Sequence, residues 1–164
     1  MLYRGLEDQL PDWRGQLKIG SEWAVRTSFW SESLHATCCE PGDAVMEKVN
    51  LTEKFKLFNE HWSPKIVGEV NDCYLKLVKF KGEFVWHHHD HEDEMFFVNK
   101  GRFVMKLQDR DIQLDQGEFI IIPRGVEHMP VADEEVEILL IEPKTTLNTG
   151  NVKNERTVEV LQQI

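Results

Sequence analysis

From residue 71 to residue 142 the chain is a succession of short runs rich in β-branched and aromatic residues, each ended by Gly, Asp, Asn or Pro. Runs of this length predict strands, and their punctuation by turn residues predicts a barrel or a sandwich. Strands are expected at 73–80, 84–89, 94–98, 103–107, 111–114, 119–122, 127–131 and 136–142. The pair 94–98 and 103–107 reads as a hairpin closed by Asn99-Lys100-Gly101-Arg102. The run Phe119-Ile120-Ile121-Ile122 lacks polar alternation and predicts a strand buried on both faces. It ends at Pro123-Arg124-Gly125, where proline stops the ladder and glycine permits a sharp reversal. Nothing in this stretch demands a long helix.

Outside that stretch the pattern fades. Residues 1–45 carry Trp13, Trp23, Trp30, the Cys38-Cys39 pair and a closing Glu40-Pro41-Gly42-Asp43 turn, with room for a short strand at 23–26 but no sustained period. They read as an irregular N-terminal extension. Residues 46–145 read as the barrel. In 146–164, Asn148, Thr149, Gly150 and Asn151 interrupt any period, so this stretch reads as a C-terminal tail on the surface or on a partner subunit. Because every motif follows Met46, a chain starting there is expected to fold alone.

Composition narrows the partners. Hydrophobic residues at 41% and charged residues at 29% are ordinary for a soluble globular domain, which excludes disorder and fibrous repeats. A formal net charge of −10 argues against a nucleic-acid partner, since phosphate binding needs a cationic face. No apolar stretch approaches the ~20 residues that cross a bilayer, and MLYRGLEDQLPDW lacks the apolar core of a secretory signal, so no membrane partner and a cytoplasmic location are expected. Cys38 and Cys39 are adjacent, with Cα atoms ~3.8 Å apart and so below the usual disulfide range, and Cys73 reads as a small buried hydrophobe. Three reduced thiols suit a reducing compartment.

The densest chemistry lies in Trp86-His87-His88-His89-Asp90-His91-Glu92-Asp93-Glu94. Alternation along a strand turns His87 and His89 to one face and His88 to the other. Two imidazoles on one face are a transition-metal pattern, and Glu94, opening the next strand after the corner 90–93, can aim a carboxylate oxygen at the same point. His88, His91, Glu92 and Asp93 suit a solvated loop. Alternation also puts Glu94, Phe96 and Val98 on one face, which makes Phe96 a pocket-lining candidate, with Phe103 and Met105 as further ones.

The spacing resembles that of the cupin superfamily. In its first motif, a glycine precedes H-x-H, a glutamate follows, and a second glycine closes the run. Gly82, His87, His89, Glu94 and Gly101 match, with Gly82 one residue closer to the first histidine than the pattern asks. Gly117, Pro123, Gly125 and His128 match the second motif, while Ala132 stands where the family has asparagine. The resemblance covers roughly residues 71–142. It implies an all-β jelly-roll β-barrel, the double-stranded β-helix, with His87, His89, Glu94 and His128 holding one divalent transition metal. His128 enters the ligand set only through this pattern.

A three-histidine, one-glutamate set leaves two positions open on an octahedral ion, which suits iron, manganese, nickel or cobalt better than a closed structural zinc, with the identity left open among these metals and zinc. The resemblance therefore implies metal-dependent chemistry on a small-molecule ligand, with a dioxygenase expected ahead of a sugar-phosphate isomerase. A binding module without turnover is the alternative. An apolar lining would favour the dioxygenase, and a cation inside the barrel an anionic substrate; Arg102, Lys106 and Arg124 are the cations to place. A homodimer is expected, with part of residues 1–45 in its interface, because a barrel this small leaves strand edges to cover.

Overall fold

Alternation within the runs sorts them into the walls of a barrel. The computed structural model describes residues 47–164; the N-terminal tryptophans, the Cys38-Cys39 pair and the strand expected at 23–26 lie outside the described residues. A short helix, α1 (Leu51–Phe55), is capped by Asn50, whose side chain accepts a hydrogen bond from the Glu53 N–H at 3.3 Å. Strands follow as β1 (Lys65–Val70), β2 (Cys73–Glu83), β3 (Glu94–Lys100), β4 (Arg102–Leu107), β5 (Asp111–Asp115), β6 (Phe119–Ile122), β7 (His128–Pro143) and β8 (Gln162–Gln163). The fold is all-β, as the spacing of the runs predicts. No helix among the described residues is long and apolar enough to cross a membrane.

The 16-residue strand β7 organises the barrel. One of its edges pairs with β2 from Glu83↔Val131 to Cys73↔Pro143. Its other edge is shared, with β4 meeting its first part (Val104↔Val131) and β3 its second (Val98↔Ile138). β5 extends the sheet beyond β4, and β6 beyond β3. The inward faces meet in one buried cluster that includes Phe80, Phe96, Phe103, Met105, Val136 and Ile138. Each such side chain contributes roughly 1.5–3 kcal/mol on burial.

Several local expectations are corrected. The runs at 127–131 and 136–142 form one strand, because the exposed Asp133, Glu134 and Glu135 stay extended while a register shift between Phe80 and Gly82 lets β2 follow the bend. β3 and β4 are not a hairpin. They lie end to end along the same edge of β7, and Gly101, at φ 87°, carries the chain from one to the other. A turn sequence specifies a reversal but not which strand receives the ladder.

β6 is not buried on both faces. It pairs only with β3, and Phe119 and Ile121 are 61% and 55% exposed. Residues 84–89 do not form a continuous strand either. They run beside the start of β7, bonding through Phe84 N–H to the Pro130 carbonyl and through a reciprocal pair between His87 and His128 at 3.1 and 2.9 Å. The stretch after Pro143 lies on the surface but is tied to the barrel: β8 pairs in parallel with β1, Thr149 is fully buried, and Asn151 bonds to both backbone groups of His88. Hydrogen bonds and the single apolar contact of Ile164 hold it, so no hydrophobic period marks it in the sequence.

Candidate metal centre

Four side chains from three places in the sequence converge inside the barrel. His87 and His89 come from the extended segment before β3, Glu94 is the first residue of β3, and His128 is the first of β7. The Pro123-Arg124-Gly125 turn locks against the corner at 90–93, with Gly125 N–H donating to the His89 carbonyl at 2.7 Å and Arg124 N–H to Asp93 Oδ1 at 2.9 Å. That clasp and the reciprocal His87–His128 bonds bring the second motif onto the first.

All four side chains are buried, and one donor atom from each lies within 4.8 Å of the others. His87 Nδ1 sits 3.0 Å from the Val85 carbonyl and His128 Nδ1 2.9 Å from the Val126 carbonyl. A ring that donates through Nδ1 keeps its Nε2 lone pair free and aimed inward, the orientation a metal ligand needs. His89 Nε2 and His128 Nε2 lie 3.2 and 3.4 Å from Glu94 Oε2, yet none of these three atoms has a hydrogen-bond partner. Buried polar atoms are rarely left unpaired, and three facing one point fit a divalent cation. The residues present therefore suit the metal that the fold family implies.

The electrostatics suit an uncharged His87 beside an ionised Glu94. Burial, helped by the neighbouring His128, lowers His87 to about 4. Burial works against an ionised Glu94, but the imidazoles of His128 and His89 outweigh it and hold the carboxyl below its usual range. His88 points away, with Nδ1 2.8 Å from Glu127 Oε1 and Nε2 3.1 Å from Asp90 Oδ1, and Glu127 above all raises its pKa.

A small cavity of about 40 Å³ opens beside His87 and Glu94, lined chiefly by Trp62, Val78, Phe80, Phe84, Phe96 and Leu140. Phe96 is on this wall as alternation requires. Phe103 and Met105 are not; both are buried in the core away from it. Arg102, Lys106 and Arg124 also lie off the wall. Ala132 sits across from Gly82 in the β2–β7 ladder as a core residue.

Sequence reasoning missed Trp62, Phe84, Asn148 and the buried pair Lys76–Glu142. The last was legible, since Lys76 alternates with the inward Val78 and Phe80, and Glu142 with the inward Ile138 and Leu140. Nothing in the sequence around Trp62 announces its place.

The Cupin domain model matches residues 76–142. A cupin-2 domain containing protein from Shewanella frigidimarina NCIMB 400 is 50% identical, with a TM-score of 0.58 over 58% of this chain and 94% of that one. A protein from Neisseria meningitidis is 27% identical, with a TM-score of 0.56 over 60% of this chain and 100% of that one. An uncharacterized protein of Bacillus subtilis (strain 168) is 36% identical over 63 residues, 38% of this chain and 56% of that protein, so the match spans little more than half of that curated relative. The domain match contains all four converging residues, and half-identity extends over nearly the whole Shewanella protein: the chain belongs to the cupin superfamily, as a small cupin-2 protein.

Proposed function

We propose that the chain binds one divalent transition metal through His87, His89, Glu94 and His128 and is an enzyme of the dioxygenase type acting on a small oxygenated molecule. The observation that supports metal binding is the convergence of His89 Nε2, His128 Nε2 and Glu94 Oε2, buried and unpartnered, with His87 on one point. When bound, a metal with open positions would supply Lewis-acid or redox chemistry to an oxygen-bearing substrate. The chain's own residues would hold that ion, exclude water with the aromatic wall, and orient the substrate body against Trp62, Phe84 and Phe96.

The apolar wall separates this reading from a sugar-phosphate isomerase. Among the described residues no Lys or Arg lines the inner cavity, and Lys76, the most deeply buried cation among them, is committed to Glu142 at 2.7 Å. A polyol phosphate would leave its hydroxyls and charge without partners there. Elemental analysis of protein purified without a histidine tag should find one transition metal per chain. Oxygen uptake by iron-loaded protein would then be screened with thiols, catechols and diketones, beside sugar phosphates assayed for isomerisation. Uptake with one of the first three classes supports the reading. Isomerisation alone, or tight binding with no turnover, replaces it with the isomerase or the binding module, and protein that never takes up metal removes it.

A further inference from the structure

The outer face of the barrel wall carries two rows of apolar side chains in register. In the first, Phe119 of β6 lies across from Phe97 of β3, Phe97 across from Leu139 of β7, and Leu139 across from Leu77 of β2. In the second, Ile121, Met95, Ile141 and Leu75 follow in the same order. Residues paired across a ladder share a face, and the alternate positions Phe96, Val98, Ile138 and Leu140 already fill the core, so both rows point outward. Neither row contains a charged residue. Beyond the first row a polar margin begins, where Asn99 Nδ2 donates to Glu137 Oε2 at 2.9 Å.

The described residues cover only one end of this face. Phe55 of α1 and Phe58 pack over Leu77, Leu75 and Leu139. At the other end β6 pairs only with β3, and among the described residues Phe119 and Ile121 stay 61% and 55% exposed, with Met95, Phe97 and Ile141 beside them half-buried. The run Phe119-Ile120-Ile121-Ile122 has no polar position, the composition of a strand covered on both faces, although only Ile120 and Ile122 turn to the core. Its second cover has to come from elsewhere.

We infer that this face is a homodimer interface, in which β6, β3 and β7 of one copy pack face to face on the same strands of a second copy. Three properties favour a second copy as the cover. The chain carries a net charge of −10, so copies repel each other except where a face bears no charge, and an anionic membrane or nucleic acid finds no cation in these rows to hold it. The face is apolar across its full width, so it complements itself about a twofold axis, as the two sheets of a sandwich do at ~10 Å separation. Its area also suffices. Phe119, Ile121 and their three half-buried neighbours offer roughly 300 Å² of apolar surface, taking about 200 Å² for a whole large side chain. That supplies the apolar centre of an interface of ~800 Å² per partner, whose margin is polar. The interface backs β3, the strand whose inward side supplies Glu94 and Phe96, so it braces the wall behind the metal centre.

Sedimentation equilibrium of the full-length chain, unaltered and substituted, tests it. Phe119→Ser and Ile121→Lys change side chains that one copy leaves exposed, so both variants should fold, as circular dichroism checks. A twofold interface loses each side chain twice, so each variant should weaken the dimer at least about 100-fold. Val160→Lys, at an 87% exposed position beside β8 and at the opposite end of the sheet from β6, adds the same charge and should leave the dimer intact. Hydroxyl-radical footprinting of the unaltered protein identifies the cover without any variant: the reactivity of Phe119 should fall as rising concentration drives dimer formation. A monomer in which Phe119 stays reactive, a dimer that both variants leave undiminished, or an equal loss with Val160→Lys each overturns the inference. A monomer in which Phe119 is protected at every concentration overturns it too, and assigns the cover to residues 1–46 of the same chain.

Discussion

Lys76 Nζ lies 2.7 Å from Glu142 Oε1 inside the barrel, with both side chains 1% exposed. The register Met95↔Ile141 puts Glu142 beside Glu94 across the β3–β7 ladder, and Tyr74↔Glu142 puts Lys76 on its other side. A carboxylate, a carboxyl and an ammonium thus run in a row across three strands. Burial, then the nearby Glu94 charge, pushes Glu142 up to about 8 against the pull of Lys76.

The two halves of this pair should not cost the same. Glu142→Leu strands a buried ammonium and is expected to lower stability by about 3–5 kcal/mol. Lys76→Met is expected to cost less, about 1–3 kcal/mol, because Glu142 can take up a proton in place of its partner. The double variant Lys76→Met with Glu142→Leu should recover most of the loss. Urea melts of the three proteins measure this, and equal costs for the single variants would show that Glu142 does not adapt.

Stability of the metal-free protein should depend on pH, with opposite signs from two buried groups. Glu142 keeps its proton in the folded state up to about 8 but loses it near 4.5 when unfolded, so its contribution falls as pH rises through that window. His87 stays neutral down to about 4 when folded but is protonated below 6.5 when unfolded, so its contribution rises with pH from about 4 to 6.5. The two offset each other below 6.5. A net fall is expected between pH 6.5 and 8, to which His88, raised by Glu127, adds in the same direction, and the Glu142 share of it, at most about 1.4 kcal/mol per pH unit, should vanish in the Lys76→Met, Glu142→Leu double variant. Melts across that range in the presence of a chelator decide it.

The convergence of His87, His89 and Glu94 was legible because its logic is local, two histidines at i and i+2 and a glutamate after a short corner, whereas His128 was reached only through the resemblance to the cupin pattern. Phe96 was legible for the same reason, through its alternation with Glu94. What period and turn chemistry cannot carry is which strand pairs with which. The β3–β4 connection looks like a hairpin in sequence, yet both strands are taken up by the single edge of β7. Asn148 was out of reach because polar hydrogen bonds hold its segment to the barrel, and those leave no pattern of apolar positions to read.

Gly150 tests whether that segment belongs to the site. It sits at φ 53°, and a methyl there would run into the His88 carbonyl oxygen and approach the His87 ring. Gly150→Ala is expected to cost about 2–4 kcal/mol, as backbone clashes in a packed region do. Gly117→Ala, at φ 88° with open space around it, should cost only about 1 kcal/mol. Thermal melts of both variants, with metal content measured on each, would show the difference. Equal small losses would mean that residues near 150 are not packed against His88 in solution.

Light scattering can read two expectations about the first 45 residues together. The full chain is expected to be a dimer at micromolar concentration. A chain of residues 46–164 should be folded by circular dichroism and retain metal, but dimerise more weakly. A monomeric full chain would remove the dimer, and an unfolded fragment would show that Trp13, Trp23 and Trp30 belong to the core.

The ligand set itself makes the sharpest prediction, because the side chains on either side of it are held elsewhere. His88 is occupied by Glu127 and Asp90, and its backbone by Asn151, so none of its polar atoms is available to the centre. His91 lies exposed at the corner. Alanine at His87, His89, Glu94 or His128 removes one of four converging donors and should weaken metal binding more than about 100-fold, beyond what loss of an outer partner does. Alanine at His88 or His91 should leave the metal in place, although His88→Ala is expected to lose some stability through Glu127. Elemental analysis of the six variants, each dialysed against the same weak chelator, reads the result. If His88→Ala or His91→Ala strips the metal while His87→Ala and His89→Ala retain it, the register of the 84–89 segment is off by one residue, and its reciprocal pairing with His128 falls with it.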